Sequence, residues 1–84
     1  NIQPLTCSIY PNPANENITI RTENTLGGKK MLTIFDLSGK EIFETTFYSD
    51  EVIVQTSAFP AGMYICALQT EKGFASPQKL MIRK

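Results

Sequence analysis

The chain has 84 residues, eight Lys and Arg balanced by eight Asp and Glu, two cysteines and no histidine. With 42% apolar and 19% charged residues it is composed like one small globular domain, near the lower size limit for a self-sufficient core, and unlike a disordered segment. The missing histidine removes the usual general base and zinc ligand, no apolar run nears the roughly 18 residues of a membrane helix, and zero net charge does not suit nucleic acid.

The chain opens Asn1-Ile2-Gln3-Pro4, without an initiator methionine or apolar leader. It is therefore expected to be one domain, 1–84, cut from a longer precursor, with residues 1–5 a linker. A strand is predicted over 6–10, with Cys7 and Ile9 inward. Next comes Tyr10-Pro11-Asn12-Pro13-Ala14-Asn15, a stiff corner, because both prolines fix φ and lack a donor. Alternation resumes over 17–21 with Ile18 and Ile20 inward. After Gly27-Gly28, strands follow over 30–36 (Leu32 and Ile34 inward) and 40–48 (Ile42 inward), joined by Asp36-Leu37-Ser38-Gly39-Lys40. That turn uses Asp36 or Ser38 to bond nearby amides and Gly39 for positive φ.

Three more strands complete the pattern: 51–55 with Val52 and Val54 inward, 63–69 with Tyr64, Cys66 and Leu68 inward, and 78–83 with Leu80 and Ile82 inward. Leu37 and Phe59 are expected to plug the core from loops. Pro60-Ala61-Gly62 turns the chain beside Tyr64, whose ring is buried while its hydroxyl reaches a backbone partner. No window has helical periodicity. Seven short strands between tight turns predict an all-β fold, an antiparallel sandwich.

Little here suits catalysis. Cys7 and Cys66 have no CxxC spacing and no activating neighbour, so they form one disulfide or stay as buried thiols. Glu41 with Glu44, and Asp50 with Glu51, fall on polar phases where a solvated surface is expected. Asp36 and Ser38 lack the further acids of a calcium loop. No enzyme, metal or cofactor is expected. Charge is uneven all the same: residues 1–71 hold four cations against all eight acids, and residues 72–84 hold Lys72, Lys79, Arg83 and Lys84 with no acid. This basic tail either steers a partner or blunts a sheet edge.

Taken in order, "YPNPANENITI", "IFDLSGKEI", "FPAGMYICAL" and "KLMIRK" resemble the C-terminal sorting domain of type IX secretion cargo, over nearly the whole chain. Two positions depart from the usual pattern: Phe59 for leucine and Cys66 for valine. The resemblance implies an immunoglobulin-like sandwich of about seven strands that acts as substrate and signal, without catalysis. It implies a cargo of a Gram-negative bacterium that crosses the periplasm, passes the outer-membrane machinery and ends secreted or on the cell surface. A sortase then removes the domain near residues 1–5 and joins the cargo to lipopolysaccharide. The matching positions are Pro11, Asn12 and Pro13; Asp36, Gly39 and Lys40; Gly62 and Tyr64; and Lys79, Leu80, Met81, Ile82, Arg83 and Lys84. Lys79, Arg83 and Lys84 are the expected contacts, on an accessible edge strand that also permits an edge-to-edge homodimer. The alternative is a surface module binding carbohydrate or protein through an aromatic strip of Phe35, Phe43 and Phe47. A third reading is a structural spacer that tolerates loss of residues 79–84.

Overall fold

The computed structural model describes residues 6–12, 14, 16–23, 28–71, 73–74 and 77–83, so Pro13, Lys84 and the linker expected at 1–5 lie outside the described residues. The elements are β1 (Thr6–Tyr10), β2 (Asn17–Glu23), β3 (Lys30–Asp36), β4 (Glu41–Phe47), β5 (Glu51–Gln55), β6 (Gly62–Thr70), β7 (Gly73–Phe74) and β8 (Gln78–Ile82). Seven are the expected strands, with ends moved by a residue or two. The two-residue β7 was not anticipated: it is the mouth of the turn after β6, pairing Gln69 with Phe74 and Thr70 with Gly73. Among the described residues there is no helix.

One sheet has the order β1-β2-β5, and the other runs β4-β3-β6 with β7 and β8 sharing the far side of β6. Every pairing between strands is antiparallel. The sheets stack as a sandwich because each strand presents an apolar row inward, alternate side chains falling on opposite faces. Ile18, Ile20, Leu32, Ile34, Val54, Tyr64, Cys66, Leu68, Leu80 and Ile82 are all buried, joined by Ala14 and Phe47. Cys7, Ile9, Ile42, Val52 and Phe59 pack against them.

Strand β4 departs from simple alternation. Ile34 faces Phe43 but Phe35 faces Glu41, so Ile42 is an extra residue opposite neither. This bulge moves the rest of β4 into the other phase. Both Ile42 and Phe43 turn toward the core and Phe47 is buried, so the phase set by Ile42 holds only at the start of the strand. Leu37 does not plug the core. It is 69% exposed at the tip of the β3–β4 turn, where a tight turn points it outward.

Three polar side chains are buried among the described residues, and the simplest case is Thr22, whose Oγ1 donates to Asp50 O at 3.2 Å. Lys30 is fully buried, its Nζ donating to the carbonyls of Gly28 (3.3 Å) and Tyr48 (3.2 Å) and lying 5.4 Å from the Phe47 ring centroid. Two carbonyls and an aromatic face replace its water. Thr56 is likewise fully buried, and its Oγ1 has no hydrogen-bond partner among the described residues. Its backbone is well held, with the N–H donating to Glu16 O at 2.8 Å. Thr56→Val keeps the shape and deletes the stranded hydroxyl, so the variant should gain about 1 kcal/mol in urea unfolding.

Candidate functional site: the clasped terminal strand

Four segments far apart in sequence meet on one ribbon of the structure. The first is the turn after β3. Asp36 Oδ1 accepts from Ser38 N–H (2.9 Å), Ser38 Oγ (2.6 Å) and Lys40 N–H (3.0 Å), while Asp36 N–H donates to Lys40 O at 2.9 Å. Gly39, at φ 91°, closes it. The Ser38 hydroxyl above all, with the Lys40 and Ser38 amides and the Lys40 charge, holds the Asp36 carboxyl below its usual range. A carboxyl with a depressed pKa in the folded state stabilises the fold above its ordinary value of 3.8 and loses that contribution as pH falls through the folded value. Comparing melting temperatures of the parent chain and Asp36→Asn should therefore give a gap that is widest near neutral pH and narrows in acid.

Along β6, Asp36 pairs with Tyr64, the second segment. Tyr64 is buried and its hydroxyl donates to Pro60 O, the corner expected from the sequence. Its ring lies 5.8 Å from Phe59, which in turn lies 6.1 Å from Phe43. The preceding Gly62 has φ 149°, a value side-chain-bearing residues rarely adopt, and this lets the chain enter β6 directly from the Pro60 turn.

The third segment is β8, and the fourth is the elbow. Gly62 pairs with Ile82, Met63 with Met81 and Tyr64 with Leu80, so β6 covers one margin of β8. The elbow covers the other. Asn12 Nδ2 donates to Lys79 O at 3.1 Å, and Asn12 Oδ1 accepts from Met81 N–H at 3.1 Å. Ala14 N–H donates to Met81 O at 2.8 Å, and Arg83 N–H donates to Ala14 O at 2.7 Å, through a parallel bridge to Ile82. Beneath, Gln78 Nε2 donates to Cys7 O at 2.7 Å and ties β8 to the other sheet.

This arrangement corrects one expectation. The outer margin of β8 is not an open edge: from Lys79 O to Arg83 N–H its outward groups are taken by one side-chain amide and one short bridge. An edge-to-edge dimer through this stretch has no free groups to form on. What stays accessible is the face of the strand, where Lys79, Met81 and Arg83 are exposed while Leu80 and Ile82 are buried. The aromatic strip also fails to assemble. Phe47 is buried and Phe43 packs against the core, because the β4 bulge turned both inward. Glu41, Glu44, Asp50 and Glu51 are exposed, and Glu51 takes Arg21 at 2.9 Å and the Tyr10 hydroxyl at 3.3 Å.

The cysteines are unpaired thiols. Burial pushes the Cys7 thiol up, and burial followed by the nearby Cys7 pushes Cys66 up to about 12. Both are therefore protonated at neutral pH and poor nucleophiles.

The sequence profile of the secretion system C-terminal sorting domain matches residues 8–83. No curated protein sequence matches the chain.

Proposed function

Because the chain belongs to the family of secretion system C-terminal sorting domains, we propose that the type IX export machinery recognises its folded shape through the exposed face of β8, with Lys79, Met81 and Arg83 as the contacts. Membership makes it a type IX sorting signal, and the cargo that carries it is exported and either secreted or attached to the surface. The finer steps are part of the proposal. The cargo crosses the periplasm, a sortase cuts within or before residues 1–5, and the cargo is joined to lipopolysaccharide. In each of these the domain is a substrate and performs no chemistry.

The observation that carries this reading is that two of the other motif segments, the elbow and the Gly62–Tyr64 corner, flank β8, and that the third, the Asp36 turn, pairs with the corner. Asn12 fastens it, Gly62 and Tyr64 pair with it, and Asp36 pairs with Tyr64. Pro11, Asn12, Gly39, Gly62 and Tyr64 shape the ribbon, whereas the exposed side chains of β8 are free to touch a partner.

The test is a fusion of residues 1–84 behind a signal peptide and a reporter, in a bacterium with type IX machinery. The parent fusion should reach the surface. A Lys79→Ala, Arg83→Ala double variant should keep its unfolding free energy within about 0.5 kcal/mol, since both residues are exposed, yet lose most surface delivery. Retention of the intact parent fusion in the periplasm, or full export of the double variant, would overturn the assignment of these contacts.

A further inference from the structure

Strand β6 carries Met63-Tyr64-Ile65-Cys66-Ala67-Leu68, six residues without a charged or amide side chain, which is the composition of a strand covered on both faces. The described residues cover only one. Tyr64, Cys66 and Leu68 are buried between the sheets, whereas Met63, Ile65 and Ala67 point away from the core and are half-buried. Their cross-strand neighbours, which point to the same face, extend the patch. Ile65 lies between Phe35 of β3 and Lys79 of β8, and Met63 lies beside Met81, which is 38% exposed. Phe35 is paired in turn with Glu41, so one row across the sheet reads Glu41, Phe35, Ile65, Lys79. An acid ends the row on β4, a base ends it on β8, and two large apolar side chains sit between.

We propose that this outer face of the larger sheet is an interface with a second copy of the chain, related by a twofold axis that runs parallel to the strands between β3 and β6. Such an axis lays Phe35 of one copy over Ile65 of the other and sets Glu41 of one opposite Lys79 of the other, twice. Sheets packed about 10 Å apart at about 30° leave these ends within reach of Lys and Glu side chains. A partner of single sign meets repulsion at one margin of the row, but a second copy satisfies both. The face is four strands wide and a few residues long, so two copies bury less than the roughly 1,000 Å² at which specific stable interfaces begin. The dimer is therefore weak and concentration-dependent. It uses the face of β8, the surface that the Asn12 clasp leaves open, and it does not depend on the export reading.

Sedimentation velocity of the 84-residue chain from micromolar to millimolar concentration tests this. The mean mass should rise from that of a monomer toward twice that value. Lys79→Glu and Glu41→Lys should each weaken association at least about tenfold, and the two together should restore it, because each opposed pair is then again of opposite sign. Ile65→Lys should abolish association while leaving the circular-dichroism melt cooperative. A chain that stays monomeric throughout leaves the face to a partner of different sequence and overturns the proposal. So does a dimer indifferent to the single reversals, or one that the double reversal does not restore.

Discussion

A chain truncated after Gln78 is expected to lack any cooperative unfolding transition. Leu80 is fully buried and Ile82 nearly so, and removing a large apolar core side chain costs about 2–5 kcal/mol each. The whole domain, at about 0.05–0.15 kcal/mol per residue, has a stability of only ~4–13 kcal/mol. Truncation also strips the pairing from Gly62–Ile65 of β6 and the bonds that anchor Asn12 and Ala14. Circular-dichroism melts are the measurement, and Leu80→Ala alone should lose about 2–5 kcal/mol in urea. A truncated chain that melts at the parent temperature would make β8 an appendage, and only then could residues 79–84 be dispensable as the spacer reading requires. The consequence for export assays is direct. Loss of delivery on deleting the tail reports an unfolded domain as readily as a missing docking surface, so substitution of exposed Lys79 and Arg83 is the discriminating experiment.

The strands were legible because this sequence obeys period-two alternation nearly everywhere, and turn residues punctuate it. Asp36-Leu37-Ser38-Gly39-Lys40 was legible for a local reason: all its bonds lie within five residues. Tyr64 was legible because a buried phenol needs a partner, and the Pro60 carbonyl four residues back supplies it. The failures have distinct physical causes. The bulge at Ile42 is invisible to a fixed period, since both Ile42 and Phe43 are apolar and either phase satisfies the pattern. Lys30 shares the phase of Leu32 and Ile34, but a charged side chain gives no signal for burial, and only the carbonyls of Gly28 and Tyr48, brought together by the fold, make its burial tolerable. Leu37 was misplaced because hydrophobicity was weighed above its seat at a turn tip.

The closed margin of β8 is the most instructive case. The prolines around Asn12 announce a corner, but sequence periodicity has no way to register a side-chain amide that stands in for a neighbouring strand. Asn12 is 67 residues from Lys79 and 69 from Met81. An amide both donates and accepts through two adjacent atoms, as Asn12 does here, which is a physical reason for asparagine between the prolines.

That reason yields a sharp expectation. In Asn12→Ala, Lys79 O and Met81 N–H both lose their partner while Ala14 still holds Met81 O and Arg83 N–H. Two bonds of ordinary net worth amount to about 1–3 kcal/mol, with the lower end expected here because Asn12 is exposed. Hydrogen exchange resolves the effect by residue: the Met81 amide should exchange on the order of tenfold faster, whereas the Arg83 amide should hardly change. Asn12→Asp separates the two halves of the clasp. Its carboxylate still accepts from Met81 N–H but cannot donate to Lys79 O, so Met81 protection should survive although stability falls. If Met81 is equally protected in the parent and in Asn12→Ala, the amide is not what closes this margin. The outer groups of β8 would then be open to strand addition after all, and recognition could proceed along its edge as well as across its face.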